Sequence, residues 1–146
     1  MKVALTPYNN NYNMNKPPNY LYVKYINKEK GYGVFTERFI KAGDIIETCY
    51  CIRSRNSIAA DDFKIQDFAD YIFNYPKGNI IQGSEYVLPT GFGCIYNHSD
   101  ENNARWENSK EAYHFDFISE RDIFPNEEIC TYYGQHYWPD KKERNK

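Results

Sequence analysis

Apolar positions in this chain recur with a period of two far more often than with the period of a helix. Leu21, Val23 and Tyr25 alternate with Tyr22, Lys24 and Ile26, which predicts a strand running into a polar turn over residues 27–30. Tyr113, Phe115 and Phe117 alternate in the same way and predict a further strand. Residues 59–75 fit two templates. Phe68, Tyr71, Ile72 and Tyr75 make a helical face behind Asp61 and Asp62, while Tyr71, Phe73 and Tyr75 alternate as a strand would. We read a short helix to about Phe68 and then a strand. Pro76-Lys77-Gly78-Asn79 reads as a turn, with the chain pairing back as a hairpin from Ile80. The first nineteen residues are crowded with Asn, and the last eight are dominated by charge; neither has a period. The expected organisation is an arm over 1–19, one β-rich domain over 20–138 and a charged tail over 139–146.

One internal similarity stands out. Glu37-Arg38-Phe39-Ile40-Lys41-Ala42-Gly43-Asp44-Ile45-Ile46 aligns without gaps on Glu120-Arg121-Asp122-Ile123-Phe124-Pro125-Asn126-Glu127-Glu128-Ile129. Each begins Glu-Arg, has an Ile two residues on, and reaches a tight turn at Gly43 or Asn126, residue types that tolerate a left-handed backbone. Two copies of one strand-turn-strand unit are predicted.

At 146 residues the chain fits one domain. Tyr (15) and Phe (9) are so abundant that much of the buried area must come from rings, several with a polar tip. That suits either a narrow cleft or an aromatic β core. A net charge of -2 offers no general attraction to nucleic acid, so no direct nucleic-acid partner is expected. No apolar run approaches the length that crosses a bilayer, and Met1 to Tyr12 lacks the apolar centre of a signal peptide. A soluble, intracellular protein with no membrane partner is the expectation. Cys49, Cys51, Cys94 and Cys130 are too scattered for a disulfide framework, and Cys49-x-Cys51 lacks the gap of common zinc knuckles, so reduced thiols packed in strands and no metal are expected.

Three distant segments carry candidate chemistry. In Lys30-Gly31-Tyr32-Gly33-Val34-Phe35 the glycines expose backbone amides and carbonyls to a ligand, or simply form a turn before a strand. Asn97-His98-Ser99 follows Gly91-Phe92-Gly93-Cys94-Ile95-Tyr96, a glycine-flanked apolar stretch that reads as a strand. Asn97 offers donors and an acceptor, and His98 a ring that a neighbour can hold in one tautomer; the alternative is a self-capping turn. A Ser99-His98-Asp100 triad is not expected, because adjacent residues cannot point at one another in triad geometry and no nucleophile elbow is present. In Glu127-Glu128-Ile129-Cys130-Thr131-Tyr132-Tyr133-Gly134 the two adjacent tyrosines would face opposite sides of an extended chain, closing the core or placing one hydroxyl in a cleft.

Together, in this order and spacing, the three segments resemble the SET-domain protein-lysine methyltransferases, over residues 21–138. The resemblance implies a mainly β fold of several small curled sheets, few short helices and a C-terminal segment threaded as a pseudoknot. It implies a methyltransferase that moves a methyl group from S-adenosylmethionine to a lysine side chain of a protein, with a histone among the candidate substrates and a nuclear site only in that case. Position by position, Lys30, Gly31, Tyr32 and Gly33 match the glycine motif that holds the cofactor. Asn97 and His98 match its Asn-His pair, and Tyr133 matches the catalytic tyrosine beside lysine nitrogen and methyl. Trp138, with Tyr137, resembles the aromatic cover of the cofactor, and Tyr71, Tyr86 and Thr131 are the candidates for the substrate channel. A small Thr131, where relatives often carry Phe or Tyr, implies room for more than one methyl.

Departures matter too. Asp100 replaces the cysteine that in many members shares a zinc ion, Asn102 replaces a proline, and no cysteine follows Cys130. The zinc-binding tail is therefore not expected, and the chain looks like a minimal member of the viral or bacterial kind. The competing reading is a SET-fold interaction module without activity. A homodimer is compatible with so small a chain.

Overall fold

The computed structural model describes residues 18–57, 71–78 and 83–134. Among the described residues nine strands follow one another: β1 Leu21–Asn27, β2 Gly31–Thr36, β3 Ile45–Ser57, β4 Phe73–Tyr75, β5 Glu85–Pro89, β6 Asn97–His98, β7 Ala104–Asn108, β8 His114–Ser119 and β9 Glu128–Thr131. They form one sheet ordered β1-β2-β9-β6 and another ordered β4-β5-β3-β8-β7. No helix among the described residues is long and apolar enough to cross a membrane.

The first hairpin is built as its sequence predicts. Asn27 Oδ1 accepts the amides of Glu29 (3.0 Å) and Lys30 (2.8 Å), and Gly31 completes the turn at φ 68°. The glycine motif does not precede β2; it is the first half of it, with Gly33 opposite Lys24 and Tyr32 opposite Tyr25. In the other sheet β3 changes partners along its length, Ile45 to Tyr50 pairing with β8 and Cys51 to Ser57 with β5. A strand shared in this staggered way curls its sheet.

Phe115 and Phe117, inward-facing on β8, are fully buried and anchor the core with Val34, Ile46, Ile123 and Ile129. Phe73 packs edge-on to Trp106 at 4.9 Å and Tyr96 lies 4.7 Å from Phe117, so rings fill the space between strands. The fully buried rings of Phe115 and Phe117 each contribute roughly 1.5–3 kcal/mol relative to exposure.

The internal similarity is a local two-fold relation in space. Ile40 and Ile123, equivalent in the two copies, exchange both backbone hydrogen bonds at 2.9 Å. Gly43 N donates to Ser119 O (2.9 Å), and its counterpart Asn126 N donates to Thr36 O (2.7 Å). Ser119 N returns to Asp44 O (3.0 Å) as Thr36 N does to Glu127 O (3.4 Å). The turn residues have the left-handed backbone expected of them, φ 88° at Gly43 and 67° at Asn126. Pairing the copies buries Ile40, Ile46, Ile123 and Ile129 together and joins the second copy, which runs into β9, to the first.

Some expectations are corrected. Tyr113 lies in a turn at φ 57°, and β8 starts at His114. Residues 91–95 form turns rather than a strand, because Gly93 N bonds Thr90 O (3.2 Å) and Ile95 N bonds Phe92 O (2.8 Å). Cys94 therefore sits in a turn, while Cys49, Cys51 and Cys130 lie in strands, and all of them are free thiols. Phe73–Tyr75 pairs with Glu85–Val87 as a hairpin. The predicted helix to about Phe68, the N-terminal arm to residue 17 and the C-terminal tail fall outside the described residues.

Candidate active site

Parallel pairing of β6 with β9, Asn97 opposite Cys130 and His98 opposite Thr131, brings the second and third sequence segments side by side. Pairing of β2 with β9, Val34 opposite Ile129, brings the first segment to the other edge of β9. The three segments therefore share one short sheet region although they are about a hundred residues apart from first to last.

Asn97 ties them together. Its Nδ2 donates to the carbonyl of Tyr32 (3.1 Å) and to Oε1 of Glu128 (2.8 Å). Gly33 is required beneath this arrangement: a Cβ there would lie 2.6 Å from Glu128 Oε1, 2.7 Å from Ile26 Cδ1 and 3.0 Å from Asn97 Nδ2. Gly31 differs, having nothing within 4 Å of a would-be Cβ, and needs glycine for its positive φ. Tyr32 is 60% exposed and meets the exposed Tyr25 edge-on at 5.5 Å, so an aromatic wall stands open to solvent beside the glycines.

His98 is held from both ring nitrogens. Its Nδ1 accepts the backbone N–H of Tyr133 (3.1 Å), so the ring proton belongs on Nε2, which faces Asp100 Oδ1 at 3.2 Å. Asp100, two residues on, thus serves as an acceptor for His98. The imidazole also contacts both Tyr132 and Tyr133, each at 5.3 Å between ring centres. The extended backbone that would send the two rings apart ends at Thr131, so both keep contact with one imidazole.

Tyr133 is half-buried, and its hydroxyl donates to the carbonyl of Tyr96. Its amide and its phenol are therefore fixed by consecutive stretches of one segment, through His98 and Tyr96. Thr131 is buried, and its Oγ1 has no hydrogen-bond partner among the described residues. Tyr71 is largely exposed, with its carbonyl 3.5 Å from the Cys94 thiol at the turn before Tyr96. Tyr86 stands on β5 opposite Asn74, in the other sheet. Lys30 closes the first hairpin turn, and Tyr137 and Trp138 lie outside the described residues.

Sequence reasoning did not single out several residues that build the site. Glu128 anchors Asn97. Asn103 is 3% exposed and acts as a strand rung, with Cys130 N donating to its Oδ1 (2.9 Å) and its Nδ2 donating to Glu128 O (2.8 Å). Glu47 and Tyr96 are buried and hydrogen-bonded to each other at 2.7 Å. Glu47 left a trace in the sequence, a carboxylate inside the run Ile45-Ile46-Glu47-Thr48-Cys49, which a strand tolerates only if the side chain is exposed or paired. The four thiols of the described residues are held in their protonated form. Burial pushes Cys51, Cys94 and Cys130 each to about 12, and Cys49, beside Glu47, higher still.

Comparison with known proteins agrees with this geometry. The SET-domain family profile matches residues 31–134, from the first glycine of the open motif to the residue after Tyr133. The chain is 27% identical over 111 residues to a Schizosaccharomyces pombe histone-lysine N-methyltransferase specific for H3 lysine-37, covering 76% of this chain and 71% of that protein. A crystal structure of a Plasmodium falciparum protein assigned as a histone methyltransferase superposes with a TM-score of 0.62 at 26% identity, over 81% of this chain and 96% of that one. Matching family profile, shared fold and the convergence of its glycine, Asn-His and tyrosine segments on β9 place this chain in the SET-domain family.

Proposed function

We propose that this protein is a protein-lysine methyltransferase that draws its methyl from S-adenosylmethionine, with a basic histone segment as the substrate class. The observation that carries the proposal is the double restraint on Tyr133, whose amide is bound by His98 Nδ1 and whose hydroxyl is bound by Tyr96 O. A buried tyrosine ordinarily finds some partner for its hydroxyl; Tyr133 differs in that its amide and its hydroxyl are both tied to the segment that carries the Asn-His pair.

The residues fit the cofactor. The open side of Gly31 and the exposed face of Tyr32 leave room beside backbone polar groups, and Asn97 with Glu128 supplies an amide and a carboxylate suited to an amino-acid end. His98, carrying its proton on Nε2, and Trp138 would flank the rest. Bound there, S-adenosylmethionine supplies a methyl group on a positively charged sulfur.

The chain's own residues then have defined tasks. Because the Tyr133 hydroxyl gives its proton to Tyr96 O, its oxygen presents only lone pairs to the site. Those lone pairs accept from a lysine amine and steady a methyl group that gains positive character. The amine must arrive unprotonated to act as a nucleophile. Burial and a neighbouring positive charge both lower a lysine pKa, so solvent can remove the proton and no dedicated base is required. The small Thr131 leaves space for an amine that already carries methyl groups, which makes a multiply methylated product the expected one.

Methyl-labelled S-adenosylmethionine with a histone panel and a cell extract tests the reading. Label on a lysine, reduced about a hundredfold in Tyr133→Phe with cofactor binding retained, is the expected result. Cofactor binding without label on any substrate, or a Tyr133→Phe protein as active as the parent, would remove it.

A further inference from the structure

Glu47 occupies an expensive position. It is 5% exposed, on β3, where burial works against its charge, and the groups that hydrogen-bond it are Tyr96, the Phe92 amide and Cys49, none of them a cation. It is also placed there by an irregularity. The register between β3 and β8 shifts between Ile45 and Glu47, so Ile46 and Glu47 are buried consecutively, at 1% and 5% exposure, where regular alternation would expose one of them. The bulge aims a carboxylate inward.

What it meets is the segment that holds Tyr133. Glu47 Oε1 accepts the Tyr96 hydroxyl at 2.7 Å, and Oε2 faces the Phe92 amide at 3.4 Å, so one carboxylate grips both ends of the turn over residues 92–96. That turn has little freedom elsewhere, since a Cβ on Gly93 would lie 2.7 Å from Pro89 and 3.1 Å from the Cys49 sulfur. Tyr96, 2% exposed, is therefore fixed at its phenol by β3 of one sheet, while its carbonyl takes the hydroxyl of Tyr133 beyond β9 of the other.

We infer that Glu47 and Tyr96 are positioning residues for methyl transfer, a buried pair that fixes the peptide carbonyl which orients the Tyr133 hydroxyl. The inference rests on the methyltransferase reading above for its consequence in turnover, but the physical link from Tyr96 to Tyr133 stands apart from it. The pair acts on the reacting groups only through Tyr133. Its effect belongs in kcat, because neither residue is part of the glycine and Asn97 surface that takes the cofactor.

Three variants separate positioning from simple support of the fold. Tyr96→Phe removes the hydroxyl and leaves Glu47 short of a donor, so it lowers both stability and kcat. Glu47→Gln keeps an acceptor for Tyr96 and retains most of kcat. The double variant Glu47→Leu with Tyr96→Phe replaces both partners of the 2.7 Å bond by apolar groups and leaves only the weakly held Phe92 amide and the Cys49 thiol without this acceptor, so it recovers stability relative to Tyr96→Phe, which leaves a buried carboxyl short of its donor. Positioning predicts that the double variant melts higher than Tyr96→Phe while kcat stays down by about tenfold or more, with KM for cofactor and peptide little changed. Recovery of kcat together with melting temperature would overturn the inference. Tyrosine labelled with ¹³C at Cζ reads the link without turnover: the Tyr133 resonance, assigned by its loss in Tyr133→Phe, should move in Tyr96→Phe, and an unmoved resonance would also overturn it. Failure of the methyltransferase reading shows differently, as a parent protein that binds cofactor and labels nothing while the resonance still moves.

Discussion

The side-chain amide of Asn97 donates to the carboxylate of Glu128 at 2.8 Å, and both atoms lie within 3.0 Å of where a Cβ on Gly33 would stand. The crowding atoms are mobile side-chain ends, so Gly33→Ala should fold with Asn97 and Glu128 displaced. Its expected signature is a loss of S-adenosylmethionine affinity of about tenfold with little change in melting temperature. Gly31→Ala reverses the pattern. It meets no atom but forces a left-handed backbone, which costs roughly 1–2 kcal/mol of stability. Calorimetry and thermal melts on the two variants check the contrast.

His98 accepts the Tyr133 amide at Nδ1, which requires the proton on Nε2 facing Asp100. Nitrogen NMR of the labelled imidazole should therefore report the Nε2–H tautomer, and Asp100→Ala should reduce its population. A parent protein with the proton on Nδ1 would contradict the assigned hydrogen bond, and with it one of the restraints on Tyr133.

Burial pushes the Glu47 carboxyl above the ordinary carboxylate range, against hydrogen bonds from Tyr96, Phe92 and Cys49. Such a group binds its proton more tightly in the folded chain than in the unfolded one. Its contribution is complete below the unfolded pKa and fades as pH rises through the folded one. The neighbouring titratable groups, Tyr96, Cys49 and Cys94, are all raised and stay neutral across this window. The stability of the parent relative to Glu47→Gln should therefore be greatest in acid and shrink toward neutrality, as measured by urea unfolding at a series of pH values. A difference that does not change with pH would mean that Glu47 is ordinary in its ionisation.

Thr131 buries a hydroxyl that has no hydrogen-bond partner among the described residues, a loss that an apolar isostere avoids. Thr131→Val is expected to gain about 1 kcal/mol in unfolding free energy. A loss of similar size would reveal that the hydroxyl holds an ordered water at the end of β9.

Equivalence of the two turn copies predicts which residue each will accept. Gly43 and Asn126 share a left-handed backbone, so Gly43→Asn should be less destabilising than Gly43→Ala, whose cost is about 1–2 kcal/mol. Equal losses would mean that Asn126 owes its conformation to its own contact with the Tyr22 hydroxyl at 3.1 Å rather than to residue type.

Local patterning of this sequence determined the hairpin at Asn27, the strands through Leu21 and Phe115, the paired turns at Gly43 and Asn126, and the order of the three site segments. Each depends on the conformations available to neighbouring residues or on which face of a strand is apolar, and such preferences are readable within a few positions. Tertiary structure alone decided the rest. Residues 91–95 look like a strand and turn instead, because the backbone there is pressed against Pro89 and Cys49. Asn97 reaches Tyr32 across 65 residues, and Tyr96 reaches Glu47 across 49. Which buried acceptor a phenol or an amide finds depends on how two sheets pack and on a one-residue bulge that turns a carboxylate inward, and no local propensity carries that information.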